Sequence, residues 1–107
     1  MQDKVTTILK AIADPTRREI FHVLVVAAVA MPITEISNQF DMTRQGVTKH
    51  IRTLHEAGLV QISKKGRERF CNANVEPLKE VNRWLAFYEK FWDDSLGRLG
   101  SYLDGQS

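Results

Sequence analysis

A chain of 107 residues with 43% hydrophobic and 26% charged residues has the size and balance of one soluble globular domain, which excludes a disordered segment and a polytopic membrane protein. The net charge of +2 is too small to demand a nucleic-acid partner, so the placing of the charges matters more than their sum. A lone Cys71 excludes an internal disulfide and a multi-thiolate metal centre, and it agrees with a reducing compartment.

No linker, internal repeat or low-complexity segment divides the chain, so residues 1–107 are expected to form a single domain. The longest apolar stretch, Ile20 to Met31, is interrupted by His22 and falls short of the ~20 residues that span a bilayer. No basic segment followed by an apolar core opens the sequence, so secretion is not expected and a cytoplasmic protein is.

Val5, Ile8, Leu9 and Ile12 fall at i, i+3, i+4 and i+7, the spacing of one helix face, and predict an opening helix that ends near Ala13. Asp14 and Pro15 then restart the chain as N-cap and first residue of a second helix, Pro15 to about Ala30. That helix is apolar nearly all round after Arg18, as a centrally buried helix would be, and His22 within it reads as a core histidine. Arg17 and Arg18 stand in its first turn, where the macrodipole disfavours a cation by roughly 0.3 to 1 kcal/mol. They pair with Asp14 or another local carboxylate, or else they contact phosphate.

Pro32 breaks the pattern, and Thr34 suits the N-cap of a short third helix through Phe40. After the tight connection Asp41–Thr43, a fourth helix is predicted from about Arg44 to Ala57, with Val47, Ile51 and Leu54 inward and Gly58 closing it. Two short helices across a three-residue turn predict a helix-turn-helix. Leu59–Lys64 and Arg67–Ala73 read as the strands of a β-hairpin turning at Lys65 and Gly66. A long last helix begins near Pro77. Its apolar positions Leu85, Tyr88, Trp92, Leu96 and Leu99, with Trp84, Phe87 and Phe91 beside them, make a wider face than one small domain covers and call for a second subunit.

Basic residues concentrate in one place. Residues 57–74 carry four basic groups and one acidic group: Lys64, Lys65, Arg67 and Arg69 bracket Gly66, opposed by Glu68. Such a finger suits the phosphate backbone, where cations gain affinity by releasing counterions; solubilising charge on an exposed turn is the plain alternative. Strand alternation puts Arg67 and Arg69 on the face of Cys71, Lys65 at the tip, Lys64 on the other side, and Phe70 toward the core.

On the fourth helix Arg44, Gln45, Thr48, Lys49 and Arg52 share the side not used for packing. These side-chain types bond guanine and adenine edges or phosphates, although any amphipathic helix also needs a solvated polar face. Thr43 and His50 flank the set. His50 and His55 diverge by about 140° on one helix and cannot share a metal. No catalytic triad or phosphate-binding glycine loop is present. Cys71, beside two guanidinium groups, is a candidate redox thiol or an inert one.

The stretch AIADPTRREI, Ala11 to Ile20, together with MTRQGVTKHIRTLHEAGLV, Met42 to Val60, resembles the ArsR/SmtB family of bacterial transcriptional repressors. The wing KKGRERF and the last helix, with WLAFYEKFWDDSLGRL, look like its non-metal branches. The resemblance implies a mainly α winged helix-turn-helix of five helices with a two-stranded wing. It implies a homodimer through the first and last helices (Val5, Ile8 and Leu9 with Leu85, Tyr88, Trp92, Leu96 and Leu99). It also places the fourth helix in the major groove of double-stranded DNA and the wing on the backbone. The cysteine pair of the metal sensors would fall within Ile33 to Phe40, which holds none, and the final helix has no histidine. Neither a metal site nor a cofactor is expected, nor an enzyme. The competing function is a protein-interaction module whose basic wing meets an acidic partner; exposed Gln45 and Thr48 favour base reading over the aromatic anchors of a protein groove.

Overall fold

The computed structural model describes residues 3–106, with side chains described through Trp92. Asp3 starts the first helix, α1 (Lys4–Ala13), by accepting the Thr6 backbone N–H at 2.8 Å and the Thr6 hydroxyl at 3.1 Å. These bonds favour the ionised carboxyl and hold it below its ordinary range. Asp14 repeats the device for α2 (Pro15–Ala27), accepting the Arg17 N–H at 2.9 Å, with Pro15 at the first helical position.

The two cations of the first α2 turn find backbone carbonyls in place of a carboxylate. Arg17 donates from Nε to the Ala11 carbonyl and from Nη2 to the Lys10 carbonyl at 3.1 Å, and Arg18 donates from Nη1 to the Ile12 carbonyl at 2.8 Å. The unfavourable N-terminus of α2 is thus offset by the electronegative end of α1, whose last carbonyls lack intrahelical partners.

Helix α2 ends three residues earlier than its apolar run suggests. Ala28 takes a left-handed conformation, φ +59, and its N–H closes on Leu24, which turns the chain into the two-residue strand β1 (Met31–Pro32). Ile20, Phe21 and Leu24 are buried, but Val26 and Val29 remain 68% and 64% exposed, and His22 is exposed too. The expectations of a fully buried helix and a core histidine are therefore corrected. A layer this thin covers one face of α2, and the apolar residues beyond that face stay in solvent.

Helix α3 (Ile33–Phe40) has Pro32 as its N-cap and no side-chain cap; Thr34 lies inside the helix, its hydroxyl 3.5 Å from Glu68. Asp41, at φ +50, ends it and leads through Met42 to α4 (Arg44–Glu56), which Thr43 caps by accepting the Gly46 N–H at 3.0 Å. At the other end Gly58, φ +79, donates to the His55 carbonyl and Leu59 donates to the Leu54 carbonyl, the bond pair of a Schellman motif. Strands β2 (Val60–Lys65) and β3 (Glu68–Ala73) follow, and α5 (Leu78–Gln106) closes the order.

The sheet runs β1-β3-β2, all antiparallel. The wing hairpin is thus two strands of a three-stranded sheet. A two-residue strand is too short to show alternation, and Pro32, lacking an N–H, fits only at an edge. The hairpin turn is Gly66-Arg67 instead of Lys65-Gly66, with glycine at φ +62 in the first turn position, as a type II′ turn requires.

The core joins Ile8 and Ala11 of α1, Ile20 and Leu24 of α2, Ile36 of α3, Val47, Ile51 and Leu54 of α4, and Leu59, Val60 and Cys71 from the hairpin region. Among the described residues, helix α5 adds only Leu78 and Val81 at its margin. Among the described residues, no helix is long and apolar enough to cross a membrane.

Replacing Arg17 with Ala removes two charged-donor bonds that join α1 to α2. The variant is expected to lose about 2 kcal/mol of stability, read as a lower urea midpoint with an unchanged slope.

Candidate nucleic-acid interface

Helix α4 is divided lengthwise. Val47, Ile51 and Leu54 are buried, whereas Arg44, Gln45, Lys49 and Arg52 are exposed and Thr48 is half-buried. The outer face therefore carries three cations, an amide and a hydroxyl with no aromatic residue among them. Thr43 is exposed at the head of the helix, its oxygen engaged by Gly46. His50 turns toward the body of the fold: its Nδ1 lies 3.4 Å from Arg17 Nη1 and 3.9 Å from Asp14 Oδ2. That position makes it a packing partner of the α1–α2 corner. His55 Nδ1 sits 2.9 Å from the Val60 carbonyl and ties the end of α4 to β2.

The register of the wing revises which cations share a face. Lys64 pairs with Arg69 and Ile62 with Cys71, while Lys65 pairs with Glu68 and Ser63 with Phe70. Paired residues point to the same side, so Lys64 belongs with Arg69 and Cys71, not opposite them. Cys71 is the residue in the core, at 0% exposure. Phe70 lies half-buried on the reverse face, with Lys65 Nζ 5.6 Å from its ring centre. The expectation that Phe70 points inward is thus corrected: a sheet packed on one side takes either Phe70 or Cys71, and the pairing of Met31 with Cys71 sends Cys71 in.

All four wing cations are exposed. Arg67 and Arg69 meet Arg44 and Thr48 of α4 across a notch of about 180 Å³ floored by Ile33. That convergence was not legible beforehand, because it depends on the hairpin register and on β1 placing Ile33 beside the wing. Glu68, the acidic residue of the wing, is held on the reverse side by Thr34.

Of the residues expected at a dimer interface, Ile8 is 2% exposed within its own protomer and offers a partner nothing. Val5 and Leu85 are half-buried and Leu9 is exposed. Trp84, Phe87, Tyr88, Phe91 and Trp92 are 40–56% exposed along α5, and the first four stack edge-on or tilted in neighbouring pairs. The side chains of Leu96 and Leu99 lie outside the described residues. Among the described residues, no cluster of three His, Cys, Asp or Glu side chains is arranged to hold a metal.

A helix-turn-helix whose second helix shows a cationic, amide-bearing face beside a basic hairpin is a winged-helix DNA-binding regulator of transcription, and residues 12–62 match the helix-turn-helix domain family. The chain is 36% identical over 84 residues to the HTH-type transcriptional regulator YuzN of Bacillus subtilis, spanning 73% of this chain and 91% of that one. It is 26% identical over 89 residues to the transcriptional repressor SdpR of the same organism, spanning 83% and 97%. A crystal structure of an ArsR family transcriptional regulator superposes with a TM-score of 0.75 at 33% identity, over 85% of this chain and 98% of that one. The chain belongs to the ArsR family of transcriptional regulators.

Cys71 does not have the environment of a redox thiol. Burial pushes it up to about 11 from an ordinary 9.0, against the opposing charge of Arg69, so the thiol keeps its proton at neutral pH. Native protein should resist iodoacetamide at pH 7 and react on unfolding. Because the folded state holds this proton longer than the unfolded chain, the contribution of Cys71 to stability is intact below pH 9 and lost as the pH rises toward 11. Denaturation curves of the wild type and Cys71→Ala should converge over that window.

Proposed function

We propose that this regulator is a cytoplasmic, operator-binding repressor that acts as a homodimer without a metal or cofactor. The observation that carries it is the outer face of α4, where Gln45 and Thr48 stand among Arg44, Lys49 and Arg52. Gln bonds adenine edges bidentately and Thr meets a base edge or a thymine methyl, while the surrounding cations hold phosphate. SdpR, similar along most of its length, is a repressor by name. A protein groove would instead favour aromatic anchors at these positions, and the protein-interaction reading is not favoured.

The dimer follows from the five exposed aromatic residues of α5 and from Leu9 beside them. Side chains of this size bury 150–250 Å² each when covered, and a two-fold interface of two α5 helices would cover them with copies of themselves. Val5, Leu9, Leu85, Tyr88 and Trp92 then belong to that interface, together with Leu96 and Leu99. Analytical ultracentrifugation at micromolar concentration should show a dimer, and Trp92→Glu should shift the species toward monomer. A wild type that sediments only as monomer refutes the assembly.

Base reading has its own signature. Gln45→Ala and Thr48→Ala should each cost about 1–3 kcal/mol on a selected operator and little on random duplex, measured by fluorescence anisotropy. Equal losses on both duplexes would reassign these residues to the backbone.

A further inference from the structure

Three guanidinium groups meet at one place on this surface. Arg44 comes from the first turn of α4, Arg67 from the hairpin turn and Arg69 from β3, and with Thr48 and Ile33 they line the notch of about 180 Å³ between helix and wing. None of the three forms an ion pair or a hydrogen bond with a described residue. The lining holds no carboxylate, and Glu68, adjacent in sequence to both wing arginines, is drawn to Thr34 on the reverse face. Like charges gathered without a counter-charge repel one another, and the chain brings them together from separate elements instead of spreading them along the wing.

We propose that the notch is the seat of a single phosphate group, gripped jointly by Arg44 of the reading helix and Arg67 and Arg69 of the wing. The chemistry fits a tetrahedral oxyanion: guanidinium forks donate paired N–H bonds to phosphate oxygens. The three guanidinium groups of the lining, with no carboxylate among them, favour an anion over a neutral base. The occupant is a phosphate of the duplex backbone, so the inference rests on the DNA-binding reading and deepens it. Helix and wing do not make separate, additive phosphate contacts; they close on the same one, which fixes the depth of α4 in the groove by the position of the wing.

A shared phosphate differs measurably from two separate ones. Counterion release counts phosphates neutralised, at about 0.9 of log–log salt slope for each on B-DNA. With a shared seat, Arg44→Ala and Arg69→Ala should each weaken duplex binding and change that slope little, because the remaining guanidinium groups still neutralise the phosphate. Removing Arg44, Arg67 and Arg69 together should lower the slope by about 0.9 per subunit. Independent contacts predict instead a full step for every single replacement, and that result overturns the proposal.

The second arm needs no DNA. Inorganic phosphate titrated at constant ionic strength into ¹⁵N-labelled protein should move the Nε–H resonances of Arg44, Arg67 and Arg69 along one common saturation curve and leave that of Arg52 in place. Separate or unsaturable responses overturn the seat. With a selected duplex bound, the three resonances should stop responding to added phosphate; if they still titrate, the duplex does not occupy the notch and the proposal fails. Loss of all duplex binding by the wild type would strike the DNA-binding reading itself, and the phosphate titration would still report on the notch.

Discussion

Arg17 is the joint on which the orientation of the reading helix depends. Its backbone N–H is capped by Asp14, its guanidinium closes the last carbonyls of α1, and the same group lies against His50 of α4. One side chain therefore joins three helices, with apolar packing of Ala11, Ile20 and Ile51 beneath it. The arrangement works because the first turn of α2 is a poor place for a cation and the last turn of α1 a good one, and Asp14 brings the two ends together. Arg18 repeats the contact one residue on. Arg17 is thereby engaged within the fold, Arg18 stays exposed, and the densest group of cations lies on α4 and the wing.

That concentration gives the molecule its polarity. The first acidic group of α5 is spent locally: Glu80 pairs with Arg83 within the helix at 2.6 Å, just as Glu76, ahead of it, pairs with Lys79 at 2.7 Å. Such exposed pairs add little stability. Their effect is to leave the α5 end near neutral while the opposite end keeps the cations of α4 and the hairpin. A field arranged in this way steers a duplex toward α4 and away from the aromatic stripe of α5.

Helices α2 and α4 were legible in the sequence because an apolar period meets a cap, Asp14-Pro15 ahead of α2 and Gly58 after α4, whereas Thr43, read as part of the turn, caps α4 as well and Thr34 does not cap α3. The face of α4 was legible for the same reason, since fixing Val47, Ile51 and Leu54 inward fixes Arg44, Gln45 and Thr48 outward. Strand register was not. The hairpin turn lies one residue later, at Gly66-Arg67 instead of Lys65-Gly66, which pairs Lys64 with Arg69 instead of Arg67 and puts Arg67 in the turn, and nothing in a run of cations distinguishes the two. Phe70 against Cys71 shows the limit of hydrophobicity as a guide, because the larger apolar residue lies on the outer face while pairing with Met31 sends the smaller one in. His22, Val26 and Val29 show the converse: an apolar helix in a thin domain has more apolar surface than the domain has interior.

The two surfaces that define this regulator, the reading face of α4 and the aromatic stripe of α5, are connected through very few residues. Asn74 donates from Nδ2 to the Gly58 carbonyl at 3.1 Å, and its backbone N–H donates to Leu59 at 2.8 Å. Its Oδ1 accepts from Glu76 at the approach to α5. Gly58 itself approaches Pro77 so closely that a Cβ there would stand 3.3 Å from the proline ring, and at φ +79 the position disfavours a side chain in any case. The end of α4 and the start of α5 are thus fastened to one another across a short, hydrogen-bonded junction without slack. In the proposed dimer this junction fixes the angle between the two-fold axis and each reading helix, and hence the spacing of the half-sites that both protomers can read together. A ligand that altered the packing at Gly58, Asn74 and Pro77 would change that spacing without touching a DNA contact.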